Sequence, residues 1–143
     1  MYNESGSWDM NTVLALDSQQ SIVVVVEDDA GMKKALERLL RAAGFQPVSF
    51  ASAEELLKTQ AADSAACLVL DIHLPGLSGL DLGRYLVSSG RAKPLIFITG
   101  QDEPSLRNEA QSLGCAYFRK PFEGKALLEA IRRAIELDLI DHP

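Results

Sequence analysis

The strongest constraint on the fold is a strict alternation of short apolar runs with amphipathic stretches from residue 22 onward. Each run is uninterrupted and contains β-branched or aromatic side chains, as is typical of parallel strands buried on both faces. The runs are Ile22–Val26, Val48–Phe50, Cys67–Leu70, Leu95–Ile98 and Ala116–Phe118. Because Pro47 cannot donate a backbone hydrogen bond, we expect the second run at an edge of the sheet.

The stretches between the runs predict helices, since their apolar residues recur at helical spacing. The predicted helices are marked in turn by Met32 to Ala43 ahead of Gly44, by the capping-box pair Ser52 and Glu55, by Gly79–Ser89, by Pro104 in a first turn, and by Phe122–Leu139. Five strand–helix pairs predict an α/β fold in which helices cover both faces of a five-stranded parallel, doubly wound sheet.

Residues 1–21 differ from the rest because they contain no Lys or Arg and no sustained apolar period. We expect them to form a mobile N-terminal extension, ahead of a globular domain at residues 22–140. We expect neither a secretory signal nor a membrane span, because the first residues lack the basic residues and apolar block of a signal and no apolar run approaches ~20 residues. Its two cysteines lack the C-x-x-C spacing, which favours reduced thiols in the cytoplasm. A formal charge of −6 argues against nucleic-acid binding by this domain.

Charged and polar residues follow four of the predicted strands at their carboxyl ends, where open parallel sheets bind ligands. They are Glu27, Asp28 and Asp29 after the first strand, Asp71 after the third, Thr99 after the fourth and Lys120 after the fifth. Polar loops are common, and Asp29 directly before a helix is expected to be its N-cap. Together, however, these residues predict one shallow pocket lined by carboxylates, a hydroxyl and a cation.

Carboxylates that share an accessible pocket repel one another and favour a bound cation. Ligands that are all oxygen atoms suit Mg²⁺ held together with water and phosphate. Lys120 would then neutralise charge on a phosphoryl group, and the hydroxyl of Thr99 would hydrogen-bond one of its oxygens. An aspartate of the pocket could itself accept the phosphoryl group as an aspartyl phosphate.

The ordered set of motifs resembles the receiver domain of two-component response regulators. The matching segments are VVVVEDD (23–29), CLVLDIHLPGLSGLDL (67–82), PLIFITG (94–100) and YFRKPF (117–122). The wording of SAEELL, LPGLSGLDL, PLIFITG and KPF is most similar to receivers of the FixJ/NarL type. The resemblance implies a CheY-like, flavodoxin-like (βα)5 fold with the strand order 2-1-3-4-5.

The same resemblance implies the site residues. Asp71 matches the phosphoacceptor, and Lys120 matches the cation that pairs with the phosphoryl group. The implied cofactor is Mg²⁺, with Mn²⁺ as a substitute. Asp28 would bind the metal directly and Glu27 largely through metal-bound water, together with Asp71 and the backbone carbonyl of His73.

Further positions match the residues that transmit phosphorylation in this family. Thr99 matches the switch hydroxyl, Tyr117 matches the aromatic residue whose rotamer reports the switch, and Pro121 would follow a cis Lys–Pro bond. The implied protein is a phosphoacceptor signalling switch rather than an enzyme with a separate product, although it catalyses its own phosphotransfer and dephosphorylation.

The implied partners are proteins. The phosphodonor would be a sensor histidine kinase or a histidine phosphotransfer protein. A downstream protein target would recognise the face formed by the fourth helix, the fifth strand and the fifth helix, and homodimerisation through that region is left open. No membrane partner is expected.

We expect a single-domain regulator that acts through protein contacts, because few residues follow the last predicted helix, and three alternatives compete with this expectation. One is the receiver of a longer FixJ/NarL-type DNA-binding transcription factor. An aspartate-nucleophile phosphatase of the haloacid dehalogenase type would need a second Asp two residues after the nucleophile, where this chain has His73. A flavodoxin-type flavin binder would need a phosphate-binding loop after the first strand, where Glu27 and Asp28 would repel phosphate.

Overall fold

The computed structural model describes residues 21–91 and 93–141. Within them, one sheet is formed by β1 (Ile22–Val26), β2 (Gln46–Phe50), β3 (Cys67–Asp71), β4 (Leu95–Thr99) and β5 (Ala116–Arg119). The strand order is β2-β1-β3-β4-β5, and every neighbouring pair is parallel. The predicted fold class and strand order are therefore confirmed. Apart from Ser21, the predicted N-terminal extension lies outside the described residues.

The described helices are α1 (Ala30–Ala42), α2 (Ala53–Leu57), α3 (Ala61–Ser64), α4 (Gly79–Ser88), α5 (Pro104–Leu113) and α6 (Gly124–Asp141). The prediction of one helix between β2 and β3 is wrong, because two short helices stand there. The hydroxyl of Thr59 donates to the carbonyl of Leu56 and accepts from the backbone N–H of Ala61, and these bonds turn the chain. The predicted fourth and fifth helices are thus α5 and α6. None of the described helices could span a membrane.

Each face of the sheet is covered by its own apolar core, because successive strand residues point to opposite faces. One core joins the sheet to α1 and α6 through Val23, Val25, Val69, Ile96, Ile98, Leu36, Leu40, Leu127 and Ile131. The other joins it to α2–α5 through Val24, Val26, Leu68, Leu70, Phe97, Leu56, Leu82, Leu86 and Ala110. Burial of each large apolar side chain contributes about 1.5–3 kcal/mol. Strands β3 and β4 are wholly buried, whereas Pro47 lies on the edge strand β2, as predicted.

Caps fix where the helices begin after the strands. The Oδ1 atom of Asp29 accepts a hydrogen bond from the backbone N–H of Met32 at 2.9 Å, which confirms the predicted N-cap of α1. The Oγ atom of Ser52 accepts from the N–H of Glu55, as expected for α2. The carboxylate of Glu55 accepts from Ala51, one residue before the partner that a capping box would use. Asp29 is thereby committed to the helix, and the two acids before it remain at the sheet edge.

Candidate functional site

Three carboxylates meet where β1 and β3 end. Glu27 directly follows β1 and is fully buried, and Asp71, the last residue of β3, is 4% exposed. Asp28 is exposed. One carboxylate oxygen from each residue lies within 4.8 Å of the other two, so the three acids converge as predicted. The parallel pairing of β1 with β3, in which Val26 stands opposite Leu70, brings the acids together.

Lys120, in the loop after β5, supplies the cation of this cluster. Its Nζ atom lies 2.6 Å from Oε1 of Glu27 and 3.2 Å from Oδ2 of Asp71. Burial lowers the pKa of Lys120, but the hydrogen bond to Glu27 and the charge of Asp71 outweigh burial and hold the pKa above its usual value. The ammonium group is therefore charged at neutral pH. The peptide bond between Lys120 and Pro121 is cis.

The carboxylate of Glu27 has both oxygens occupied. Lys120 donates to Oε1, and the backbone N–H of Asp29 donates to Oε2 at 3.1 Å. Burial raises the pKa of Glu27 above its usual value; these hydrogen bonds oppose that shift, and the neighbouring charge of Asp71 adds to it. A raised pKa means that the negative charge is costly at this position, so any nearby cation stabilises the site.

The loop from β3 to α4 starts at Asp71 and folds back over it. The backbone N–H of His73 donates to Oδ1 of Asp71 at 3.2 Å, and the His73 side chain is exposed. The helix α4 begins so close to the end of β3 that a Cβ atom on Gly79 would lie 2.0 Å from the carbonyl oxygen of Asp71. Glycine is therefore required where this loop returns to the sheet.

The two predicted switch residues lie on the neighbouring strands β4 and β5. Thr99 is fully buried, and its hydroxyl donates to the carbonyl of Gln101 at 2.9 Å and accepts from the N–H of the same residue at 3.1 Å. Tyr117 donates its phenol proton to Oδ1 of Asp102 at 2.9 Å. Burial, followed by the contact with Asp102, raises the pKa of Tyr117. Nε of Arg107 lies 3.5 Å from that Asp102 oxygen.

The structure thus brings Glu27, Asp28, Asp71 and Lys120 together. It does not place the Thr99 hydroxyl on them: the partner of that hydroxyl is Gln101. The expected convergence of this hydroxyl with the carboxylates stays a prediction; in the conformation described, the hydroxyl closes a turn within its own loop.

Sequence reasoning missed two residues that contact this region. Asp102 binds Tyr117, and Glu54 binds the loop between β3 and α4. The available signals were weak: Asp102 lies close after Thr99, and Glu54 belongs to the SAEELL wording.

Comparisons with known proteins agree on one family. A sequence model of the response regulator receiver domain matches residues 23–132. Nodulation protein W of Bradyrhizobium diazoefficiens is 43% identical over 122 residues, which are 85% of this chain and 54% of that protein. Transcriptional regulatory protein FixJ of the same organism is 35% identical over 114 residues, 79% of this chain and 56% of that protein. The solved structure of response regulator StyR is 34% identical with a TM-score of 0.78, covering 85% of this chain and 62% of that chain.

The chain belongs to the response regulator receiver family. It spans about half the length of the curated relatives that it matches. Receiver domains are phosphoacceptor switches that bind Mg²⁺ at an acidic pocket and interact with histidine kinases and downstream targets. Because the chain belongs to this family, the phosphatase and the flavin binder are no longer retained as alternatives.

Proposed function

We propose that this chain accepts a phosphoryl group on Asp71 from a histidine kinase or a histidine phosphotransfer protein. The observation that carries the proposal is the position of Asp71. It ends the central strand β3, lies 3.2 Å from the ammonium group of Lys120 and shares its pocket with two further carboxylates. Residues 22–140 would form the receiver domain.

The proposed reaction is a transfer from phosphohistidine nitrogen to carboxylate oxygen. A carboxylate oxygen of Asp71 attacks phosphorus, the P–O bond forms as the P–N bond breaks, and the departing imidazole retains the electron pair and takes up a proton. Lys120 is already beside Oδ2 of Asp71, where its charge would balance that of the phosphoryl oxygens. The N–H of His73 fixes the orientation of the carboxylate through Oδ1.

The donor set of the pocket fits Mg²⁺, because three carboxylates offer oxygen atoms within 4.8 Å of one another. Asp28, Asp71 and the backbone carbonyl of His73 would hold the ion, and Mn²⁺ would substitute. Glu27 would act through metal-bound water, which its two occupied oxygens support. A bound Mg²⁺ would neutralise charge between the carboxylates and the incoming phosphoryl group.

The proposed switch uses the loop between β4 and α5. Thr99 would exchange its bonds with Gln101 for a bond to the phosphoryl group, and Tyr117 would leave Asp102 and change rotamer. All three hydrogen bonds that must break end in this one loop, which supports a coupled movement. The altered face, made of α5, β5 and α6, would bind a downstream protein target or a second copy of the chain.

The wider setting follows from the same proposal. Two readings fit the proposal, a single-domain regulator and the receiver of a longer protein, and the unpaired thiols of Cys67 and Cys115 favour a cytoplasmic location. The match to 56% of transcriptional regulatory protein FixJ favours the second reading, the receiver of a DNA-binding transcription factor.

Mass spectrometry after incubation with acetyl phosphate and Mg²⁺ tests the proposal. The intact chain should gain one acid- and base-labile phosphoryl group, and Asp71→Asn should abolish that gain. Asp29→Asn is the matched control, because asparagine still caps α1 and the control should be phosphorylated normally. An undiminished adduct in Asp71→Asn would overturn the assignment.

A further inference from the structure

Glu54, in the first turn of α2, reaches across to the loop between β3 and α4. Its Oε2 atom accepts a hydrogen bond from the backbone N–H of Leu77 at 2.9 Å, although the two residues are 23 positions apart. The bond from Leu77 is the main reason that the pKa of Glu54 lies below its usual value. The carboxylate is therefore ionised at neutral pH, and the hydrogen bond is charge-assisted.

Gly76 shows how closely the carboxylate and the loop fit. Its φ of +73° lies in the left-handed region, and a Cβ atom built there would be 2.4 Å from the same Oε2 atom of Glu54. The carboxylate thus occupies the space that a side chain at this position would need. The glycine at the turn therefore leaves the space in which the Glu54 carboxylate lies.

The loop that Glu54 contacts is the one that leaves the proposed phosphoacceptor. At its base, the N–H of Gly79 donates to the carbonyl of Ile72 at 3.0 Å, and the N–H of His73 donates to Asp71. At its far side, Leu77 is bonded to Glu54. The loop is therefore closed at the sheet and held from outside by a residue of another helix.

We infer that Glu54 is a positioning residue. It holds the loop between β3 and α4 so that the backbone carbonyl of His73 can bind Mg²⁺ at the acidic cluster. The inference rests on the proposed function, because it gives the loop its task there. It requires no contact of Glu54 with the ion or with the phosphoryl group. The position of the loop depends on the acceptor oxygen of Glu54 and not on the negative charge of its side chain.

The neighbouring Glu55 offers a matched control. It is an acid in the same turn of α2, and its Oε2 atom accepts from a backbone N–H at the same distance of 2.9 Å. That donor is Ala51, directly before the N-cap of α2, so this hydrogen bond of Glu55 stabilises the start of its own helix and not the loop. A general loosening of α2 would affect the pocket in both variants, whereas loss of the loop contact would affect only Glu54 variants.

The experiment compares Glu54→Ala, Glu54→Gln and Glu55→Ala with the parent chain. The Kd for Mg²⁺ is taken from the rise of the unfolding midpoint with Mg²⁺ concentration, and phosphorylation of Asp71 by acetyl phosphate is followed separately. Glu54→Ala should raise the Kd about three- to tenfold, the usual scale for one such hydrogen bond. Its phosphorylation rate at saturating Mg²⁺ should change less than about twofold.

Glu54→Gln retains an acceptor oxygen and should restore the Kd to within about twofold of the parent value. Glu55→Ala should leave the Kd unchanged. The inference is refuted if Glu54→Ala binds Mg²⁺ like the parent, if Glu55→Ala weakens binding equally, or if the Gln variant is as weak as the Ala variant. Absence of phosphorylation in the parent and in Glu55→Ala would refute the proposed function instead, while the Mg²⁺ titrations would still decide the role of Glu54.

Discussion

Replacement of Lys120 by Met tests what holds the acidic cluster together. Methionine keeps an unbranched apolar stem but removes the ammonium group that lies 2.6 Å from Glu27 and 3.2 Å from Asp71. Glu27 would remain fully buried with a single donor, the N–H of Asp29. The variant therefore leaves a buried carboxylate without its counter-charge.

The expected loss of stability follows from this burial. Breaking a buried ion pair by removing one partner costs about 3–5 kcal/mol. The Lys120 side chain is 20% exposed, so water can reach the vacated position and reduce the penalty. We expect Lys120→Met to lower the free energy of unfolding by about 2–4 kcal/mol near pH 8. For a domain of this size, the unfolding midpoint should fall by about 10–20 °C.

The pH dependence gives a second, independent sign. The folded-state pKa of Glu27 already lies above its ordinary value of 4.5 because of burial, and it should rise further without Lys120. Below the pKa of the unfolded state, the carboxyl group is protonated in both states and its ionisation costs the fold nothing. As the pH rises through the pKa of the folded state, the cost of the buried charge lowers the free energy of unfolding. The deficit of Lys120→Met should therefore be smaller at pH 5 than at pH 8.

Urea unfolding followed by circular dichroism, in buffer with a metal chelator, measures these differences. The double variant Lys120→Met/Glu27→Gln removes the stranded charge and should recover at least about half of the lost stability. A deficit below about 0.5 kcal/mol at pH 8, or no recovery in the double variant, would show that the pair does not hold the cluster together.

Three further predictions concern metal binding and the switch. Asp28→Ala should greatly slow phosphorylation of Asp71 and raise the unfolding midpoint in metal-free buffer, because carboxylate repulsion is relieved; a normal rate with normal metal dependence would contradict this. Thr99→Ala should remain phosphorylatable, but amide NMR shifts caused by beryllofluoride should stay near the pocket instead of spreading to α5 and β5. Shifts that spread to α5 and β5 in this variant as in the parent would show that the switch does not depend on Thr99. Asp102→Ala should move the pKa of Tyr117 down toward its ordinary value of 10.0, as followed by NMR of the ring, and an unchanged pKa would count against the observed contact.

The fold could be predicted from the sequence because each of its signals is local. Uninterrupted apolar runs such as Val23–Val26 identify buried strands, and Asp29 and Ser52 indicate where helices begin. The break between α2 and α3 could not be predicted in this way. It depends on whether the hydroxyl of Thr59 bonds the chain locally or faces solvent, and the residue type allows both.

In the candidate site, too, some contacts could be predicted from the sequence and others could not. Strand-end positions determine that Glu27, Asp28 and Asp71 converge, since parallel neighbouring strands end at one edge of the sheet. Contacts that depend on the path of a loop cannot be predicted from the spacing of residues in the sequence. Glu54 meets Leu77 only because α2 and the loop after β3 run beside each other, and neither sequence position indicates this.

The two proposed switch residues show that a motif can suggest a role without specifying a conformation. Thr99 and Tyr117 occupy neighbouring strands, and strand position alone fixes that arrangement. The side chains nevertheless bond to Gln101 and Asp102, which follow β4 directly. A threonine hydroxyl that both donates to and accepts from Gln101 would give up two hydrogen bonds if it turned toward Asp71. The sequence can therefore name the two residues of the proposed switch, whereas the free energy that would separate its two states depends on a loop contact that only the structure shows.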